Sequence, residues 1–354
     1  MKRKFLLFTA IITSFLFFSC RSFRVIDVET YNPSAITFSP EVKTIMIVNN
    51  SAQQPNNIGH RYTNNVKGDS LLSISADSTA YFFCRALGKS MLESTIFNDI
   101  RLCEDTLRTD SLFYDVRPFS ARKVNVLCDE YGVDGIISLD KLFFSTDYKE
   151  FMTGRYNELS VTLKMQVSGE VRVLWPGQKE AFVVPFLDSL SWNEEGDLYY
   201  EIIYALQKSE FSNILLYLSE YIGKNMRINF VPFWAQEKRW YYTAITSEWK
   251  LGTSYAVAEK WGQAAEIWEP LFVKTNKWKQ KARLASNLAV CYEITGDFKK
   301  AIEYAEISHS ILKENDIVDS PYTAIQNRYV EILKKRIDSD KILTKQLNKS
   351  EAFE

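Results

Sequence analysis

The sequence has little histidine. Its 354 residues include only His60 and His309, and neither has a partner at the spacing of a catalytic triad or a zinc site. His60 stands in a loop rich in asparagine and His309 on a predicted helix, where a packed or solvated ring is the simpler interpretation. No other side chain stands out as a catalyst, and nothing indicates a metal or another cofactor. We therefore predict a protein that is not an enzyme, with an enzyme of unrecognised type as the alternative.

Phosphate-binding glycine loops and a charge excess are also missing. The sequence contains neither G-x-G-x-x-G nor G-x-x-x-x-G-K-[ST], the patterns with which many nucleotide-binding proteins hold phosphate. Its 43 basic and 44 acidic residues leave a net charge of −1. Because nucleic-acid-binding surfaces carry a basic excess, we predict no nucleic-acid partner.

Cysteine is scarce and irregularly spaced. None of the five cysteines follows a metal-binding pattern such as C-x-x-C. Beyond Cys20, the residues Cys84, Cys128 and Cys291 lie on apolar faces of predicted helices. We expect these three and Cys103 to be buried free thiols. A Cys84–Cys103 or Cys103–Cys128 bridge is the alternative in an exported chain.

No hydrophobic run is long enough to span a membrane comfortably. The most apolar stretch, 5–18, has 14 residues, whereas a transmembrane helix needs about 20. It follows Lys2, Arg3 and Lys4, as in a secretory signal peptide. We therefore predict that residues 1–19 are a signal peptide and do not belong to the fold.

The apolar run ends at Ser19-Cys20, which resembles the lipobox of bacterial lipoproteins, although Phe17-Phe18 departs from the common pattern. In that family the signal is cut before the cysteine, which is diacylated and then acylated on its new amino terminus. The resemblance implies a protein anchored in the bacterial cell envelope through lipidated Cys20. We expect the anchor in the outer membrane, and because no acidic run follows Cys20, we expect the periplasmic side over surface display. An ordinary signal peptide with an incidental cysteine is the alternative.

An α/β domain is predicted at residues 43–190. Compact apolar runs predict buried strands, and apolar stripes at helical spacing predict the helices between them. The predicted strands are 43–48, 96–102 and 135–139, and the predicted helices are 77–93 and the segment from Ser120 to Gly132. A tether at 20–42, with a first strand near 23–29, precedes this domain.

The clearest strand pattern is 159–175, where odd positions are apolar and even positions are mostly polar. Pro176-Gly177 predicts a turn into a second strand at 181–187, and Gly169 predicts a β-bulge. The fold predicted for this half is a mixed sheet with helices on one face and a long antiparallel hairpin.

An all-α domain is predicted at residues 197–337, after a polar linker at 191–197. Its first part contains a long apolar stripe and then a break rich in aromatics. The predicted segments are a helix at 198–226, the break near 230–234, a helix that starts at 235–242, and a charged tail at 338–354 that frays.

Two segments of this domain repeat at an offset of 37 residues. Aligning Gly252 with Ala289 also places Tyr255 on Tyr292. The pattern of small and aromatic residues resembles the tetratricopeptide repeat. The resemblance implies paired helices whose first members line a concave face. That face would present Trp249, Thr253, Arg283, Ser286, Val290 and Glu293.

An aromatic and basic cluster precedes and enters the repeats: Phe233, Trp234, Arg239, Trp240, Tyr241, Tyr242 and Trp249. One interpretation is that these rings bury the junction between the first domain and the repeats. The alternative is a groove in which rings stack on a peptide or glycan and Arg239 pairs with an anion. The candidate binding residues are therefore Trp234, Arg239, Trp249, Thr253, Arg283, Ser286 and Glu293.

Taken whole, the chain resembles an uncharacterised family of lipoproteins from Bacteroidetes-type bacteria. Four segments carry the resemblance: Ser19-Cys20, 45–51, 134–142 and 287–305. It implies an envelope location and this architecture, and no activity. We predict a lipid-anchored envelope protein that binds or scaffolds another envelope protein or peptide through its repeats. A glycan-binding accessory lipoprotein that uses the aromatic cluster is the alternative.

Overall fold

The computed structural model describes residues 23–65, 68–104, 107–108, 110–153, 158–195, 211–244, 246–315 and 321–351. The predicted signal peptide and Cys20 lie outside these residues. The chain divides into two compact units. We call Pro33–Phe233 with Thr344–Glu354 the sheet unit, and the chain up to Asn32 with Trp234–Leu343 the helical unit.

The described elements, in chain order, are β1 (Phe23–Asn32), β2 (Thr44–Asn49), β3 (His60–Asn64), β4 (Gly68–Leu71), α1 (Thr79–Met91), β5 (Asp99–Leu102), α2 (Ala121–Tyr131), β6 (Gly135–Thr153), β7 (Glu158–Leu174), β8 (Phe182–Glu195), α3 (Phe211–Asn225), β9 (Phe233–Tyr242), α4 (Ser247–Val257), α5 (Trp261–Lys274), α6 (Trp278–Ile294), α7 (Phe298–Asn315) and α8 (Pro321–Glu351).

The sheet unit is built around β2, which lies between two parallel neighbours. Ile47 of β2 is opposite Leu102 of β5, and Ile45 is opposite Gly135 of β6. On its other edge, β6 pairs antiparallel with β7 along nearly its whole length, and β7 pairs antiparallel with β8. The second half of β6 also pairs in parallel with β3, and β4 is antiparallel to β3.

A different helix covers each face of β2. Ile45 and Ile47 pack with Leu87 of α1 in the main core. Met46 and Val48, which point the opposite way along the pleated strand, pack with α2 in a second core. The predicted fold class, a mixed α/β region followed by a run of helices, is confirmed. The structure differs from the prediction in one detail, since helices cover both faces of the sheet and not one. The reason is that all four of these β2 side chains are apolar and must be shielded from water.

The register of the long hairpin shifts at Asp140, where β6 carries one extra residue between Leu139 and Lys141. The bulge predicted at Gly169 is therefore on the neighbouring strand. Gly169 has a different role, since a Cβ there would collide with the carbonyl oxygen of Lys141 and with the ring of Phe186. Position 169 therefore requires glycine because the backbones approach closely there, and not because β7 has a bulge.

The helical unit packs its helices closely through small residues. A Cβ on Gly252 of α4 would collide with the ring of Trp268 on α5. Ala289 of α6 and Ala301 of α7 are fully buried. Gly296, with a φ of 85°, makes the turn between α6 and α7. The central helix of this unit is α6, which is buried along most of its length.

The strands β1 and β9 pair with each other within the helical unit. The Thr30 hydroxyl donates to the carbonyl oxygen of Ala235 at 3.3 Å, and Lys238 Nζ lies 2.9 Å from Asp27 Oδ1. Because residue numbers rise along β1 as they fall along β9 in these contacts, the strands are antiparallel. The first strand predicted near 23–29 is thus confirmed, but its partner strand follows about 200 residues later in the chain.

The prediction that a helix starts at 235–242 is wrong, because these residues form most of β9. Side chains alternate there between the solvent and the interior: Trp234, Gln236 and Lys238 are exposed, whereas Arg239 is buried. Aromatic residues at this spacing favour a strand.

Two further boundaries also need correction. The linker predicted at 191–197 is the end of β8 as far as Glu195, because it pairs with β7. The tail predicted to fray after 338 continues α8 to Glu351. Buried Gln346 explains the extension, since its side chain bonds both the backbone N–H and the carbonyl oxygen of Ser34 at 3.0 and 3.1 Å. Of the helix predicted at 198–226, residues 198–210 lie outside the described part.

Candidate functional site

A groove of about 1510 Å³ runs along β1 in the helical unit. Every residue from Phe23 to Tyr31 lines it. Successive side chains of a strand point to opposite faces, so an unbroken series of nine lining residues places the edge of the strand, and not one face, along the groove. The edge is where a strand presents backbone N–H and C=O groups to a further strand.

The opposite wall of the groove comes from helix ends. α4 contributes Thr253 and Val257, α6 contributes Glu293 and Ile294, and the start of α7 contributes Phe298. Val257, Ile294 and Phe298 lie next to turns between consecutive helices, and Thr253 lies one helical turn before Val257.

One end of the groove is closed by Arg336 of α8. Its Nη1 donates to the carbonyl oxygen of Tyr31 at 2.8 Å and to Asn32 Oδ1 at 3.2 Å. The guanidinium also lies over the ring of Phe298, 5.5 Å from its centroid. Within the described residues β1 is hydrogen-bonded to β9 as its one partner strand, so the rest of its outer edge faces the groove.

An exposed aromatic pair stands beside this closed end. The rings of Tyr31 and Trp234 lie 4.8 Å apart at 30°, and Trp234 is 64% exposed. Such a pair offers a flat apolar surface on which a side chain or a sugar ring can stack.

A buried ion pair supports the floor of the groove. Arg239 of β9 donates through Nε and Nη2 to Glu293 of α6 at 2.7–3.0 Å. Glu237 accepts from the same guanidinium at 2.6 Å, and the Tyr329 hydroxyl donates to Glu293 at 2.8 Å. Burial and the neighbouring Glu293 carboxylate raise the pKa of Tyr329 well above its usual range, so this hydroxyl stays protonated. The network joins β9, α6 and α8 and holds the floor of the groove in place.

The helical unit has a second, apolar groove of about 510 Å³. The side chains that shape it come from the start of β1, the end of β9 and the first turns of α8. They include Phe23, Val25, Trp240, Tyr242, Tyr322 and Ile325.

Three of the predicted binding residues line the first groove. Trp234 is exposed there, Thr253 is half-buried, and Glu293 reaches it with an exposure of 5%. Arg239 borders the second groove but is already paired with Glu293 and Glu237. The expectation that Arg239 is available to an outside anion is therefore wrong.

The expected concave face is buried at several positions. Trp249 is a core residue whose Nε1 donates to the carbonyl oxygen of Tyr242 at 3.0 Å. Ser286 is fully buried and bonded to Gln326, and Val290 is also buried. The expectation that these residues are exposed is wrong, because other elements cover both sides of α6. Arg283 lies over the Tyr242 ring at 5.4 Å, outside the first groove.

Sequence reasoning missed most of the residues that line the first groove. Among them, Val257 and Phe298 were not singled out as candidates, nor were Glu29 and Arg336. One short signal was available: residues 26–29 alternate apolar and polar as in a strand, although the apolar pair Val25-Ile26 interrupts the alternation before them. The groove itself follows from pairing between β1 and β9, which are about 200 positions apart.

Two of the buried titratable groups in the sheet unit are His60 and Asp140. His60 is 1% exposed, and its Nδ1 lies 3.0 Å from the Thr146 hydroxyl. Burial lowers the pKa of His60 from 6.5 to about 4. Asp140, at the bulge, accepts from Asn50 and Ser138 at 2.8 and 2.6 Å. Burial raises the pKa of Asp140 despite these bonds. The second carboxylate oxygen of Asp140, Oδ2, lies 3.1 Å from Arg172 Nε in an ion pair, so neighbouring side chains hold both groups in the structure.

All four cysteines within the described residues are buried thiols. Burial raises the pKa of Cys84 to about 12 and that of Cys128 to about 11. Burial also raises the pKa of Cys291. Because the thiolate is the reactive form of cysteine, the raised pKa values make these three thiols unreactive.

Two further features are absent from the described part of the chain. No three or more His, Cys, Asp or Glu side chains cluster there as metal ligands would. None of its helices combines the length and the apolar character that crossing a membrane requires.

Comparison with known proteins gives two family matches. Residues 42–242 match a family described as "Domain of unknown function (DUF8603)", and residues 250–335 match "Domain of unknown function (DUF6340)". No curated protein matches the chain. A solved structure titled "Crystal structure of uncharacterized protein" is similar at 10% identity with a TM-score of 0.20, over 53% of this chain and 97% of that one.

Proposed function

The chain belongs to the DUF8603 family, whose function is unknown, and we propose that it is a non-catalytic envelope protein that holds an extended segment of another protein. The groove along β1 is the proposed binding site. We further propose the Bacteroidetes-type lipoprotein assignment and an anchor at Cys20 in the outer membrane, facing the periplasm. The lipobox resemblance supports the anchor.

The proposed repeats are tetratricopeptide-like, with α4–α5 and α6–α7 as the two units. Gly252 against Trp268 and the Gly296 turn support this assignment, because both lie where the aligned repeats need small residues. In this arrangement the repeats act chiefly as a platform. The strand β1, which precedes them by more than 200 residues, supplies the recognition surface.

One observation carries the binding proposal: an open strand edge lies along a groove long enough for nine residues. An extended peptide that pairs with such an edge gains main-chain hydrogen bonds, and alternate side chains enter flanking pockets. Here the apolar contacts would come from Val257, Trp261 and Phe298, and the exposed pair of Tyr31 and Trp234 would cover one end.

A matched pair of substitutions tests the proposal. Val257 is 52% exposed and lines the groove, whereas Val273 is 76% exposed and is not among its lining residues. A photo-crosslinking residue at position 253, in cells, should capture a protein, and mass spectrometry should map the crosslink to one segment. Val257→Arg should abolish the crosslink, and Val273→Arg should leave it intact. Equal crosslinking in both variants would contradict a binding site in the groove.

The Tyr31–Trp234 pair favours a second candidate, glycan binding. Stacking on exposed rings would then give most of the affinity, and the strand edge would contribute little. Trp234→Ala should abolish the change in tryptophan fluorescence on titration with cell-wall or dietary glycans. A flat titration of the unaltered protein across a broad panel would exclude this candidate.

The anchor has its own test. Cys20→Ala should move the protein from the membrane fraction to the soluble fraction. Retention of this variant on membranes would contradict the proposed lipidation.

A further inference from the structure

The second groove of the helical unit leaves large apolar side chains uncovered. Among the residues that line it, Phe23 and Val25 on β1 are 38% and 55% exposed, and Tyr322 and Ile325 on α8 are 47% and 43% exposed. Trp240 and Tyr242 of β9 also line this groove. Together they form a patch of aromatic and aliphatic surface on one side of the unit.

Chain length places this patch next to the proposed anchor. Two residues, Arg21 and Ser22, separate Cys20 from Phe23. Consecutive Cα atoms are about 3.8 Å apart, so the Cα of Cys20 lies within about 11 Å of that of Phe23. If Cys20 carries acyl chains that enter a bilayer, the Phe23 end of β1 is held at the bilayer surface.

The chemistry of the patch suits that location. Tyrosine and tryptophan side chains favour the boundary between headgroups and acyl chains, because each has an apolar body and a polar tip. The exposed side chain of Arg328 borders the groove, as does that of Lys238, which is paired with Asp27. A cation in this position attracts anionic headgroups.

We propose that the second groove, with Phe23, Val25, Tyr322 and Ile325 at its surface, rests on the lipid bilayer and orients the helical unit there. The inference rests on the proposed lipidation of Cys20. It adds a protein surface to the acyl anchor as a second membrane contact. The acyl anchor alone limits only the distance between the helical unit and the bilayer. The apolar patch determines which side of the unit faces the lipid.

The orientation has a consequence for the first groove. An extended strand rises about 3.3 Å per residue, so Tyr31 lies roughly 26 Å along β1 from Phe23. With Phe23 at the bilayer, the open edge of β1 begins at the lipid surface and ends at the Tyr31–Trp234 pair. A bound segment would therefore be aligned at a defined angle to the membrane.

Thiol accessibility tests the membrane contact on the full lipidated chain. Ile325→Cys places a thiol in the patch, and Val273→Cys places one on an exposed part of α5 outside it. Because the native cysteines Cys84, Cys103, Cys128 and Cys291 are buried, they should contribute little to the measured modification. Purified protein in vesicles of phosphatidylethanolamine and phosphatidylglycerol is treated with N-ethylmaleimide, and the rate of modification is followed by mass spectrometry. The same two substitutions are also made together with Cys20→Ala, which should release the protein.

The proposal predicts that the thiol of Ile325→Cys reacts about tenfold more slowly than that of Val273→Cys in vesicles, because an apolar surrounding suppresses the thiolate. In the released protein the two rates should agree within about twofold. Equal rates in vesicles would overturn the membrane contact while leaving the anchor in place. Slow reaction of Ile325→Cys in the released protein would also overturn it, since something other than lipid would then cover the groove. Membrane retention of Cys20→Ala together with equal rates at the two thiols would overturn both the anchor and the contact.

Discussion

The two units differ in the ion pairs that they bury. The sheet unit buries alternating aliphatic side chains, such as Val161, Leu163 and Met165 of β7, around one main core. The helical unit buries a charged network, Arg239 with Glu293, among its aromatic rings. Both grooves also belong to the helical unit. The sheet unit also buries His60 and Asp140, but the ion-pair partner of Asp140, Arg172, keeps 22% of its side chain exposed, whereas Arg239 and Glu293 are each 2% exposed. An ion pair with both partners buried therefore lies in the unit whose surfaces are proposed to bind.

The largest effect should come from breaking the buried ion pair. Removing one partner leaves the other charge without compensation in the interior, which typically costs about 3–5 kcal/mol. Glu293→Gln or Arg239→Met should therefore lower the free energy of unfolding by this amount, measured by urea denaturation. The double variant Arg239→Met/Glu293→Leu should lose clearly less than the sum of the two. Losses below about 1 kcal/mol in both single variants would remove the contrast between the units.

The sheet unit should show the next largest effect, as a pH dependence. Its His60 has a pKa lowered from 6.5 to about 4, so between these values the unfolded chain binds a proton that the folded chain does not. The free energy of unfolding should then fall as pH decreases from about 6.5 to about 4, by up to about 3 kcal/mol. His60→Gln should flatten this part of the curve of stability against pH. An unchanged slope in that variant would show that other groups cause the loss.

Two glycines of the helical unit should respond in opposite directions. Gly252→Ala forces a Cβ against Trp268 and should cost about 1–3 kcal/mol. Gly262 lies in α5, and a Cβ added there would meet no atom within 4 Å. Gly262→Ala should therefore stabilise the protein by about 0.5–1 kcal/mol, because alanine has the higher helix propensity. Thermal unfolding compares the two, and the same sign for both would contradict the proposed close approach of α4 and α5.

Local periodicity predicted much of the fold. The helices α1 and α2, the buried strand β2 and the long hairpin follow from patterns within single segments. The Gly252 and Ala289 repeat also anticipated the run of helices. Each of these features depends on neighbouring residues, which a sequence shows directly.

The candidate site depends on contacts that the sequence does not show. Thr30 and Ala235 are brought together over 205 positions, and that pairing makes β9 a strand where a helix was predicted. Arg239 and Glu293, 54 positions apart, neutralise each other, so a charge that looked available for binding is buried. The groove exists only because both pairings form, and neither has a local signal.

Amide hydrogen exchange on β1 tests the central claim most directly. The segment identified by crosslinking would be synthesised as a peptide and added to the lipidated protein. Exchange should slow about tenfold or more at those residues of 23–31 whose N–H groups point to the open edge, because strand pairing protects the amides there. Val257→Arg should abolish this protection, and Val273→Arg should preserve it. Protection confined to α6 and α7, with β1 unchanged, would contradict binding at the strand edge.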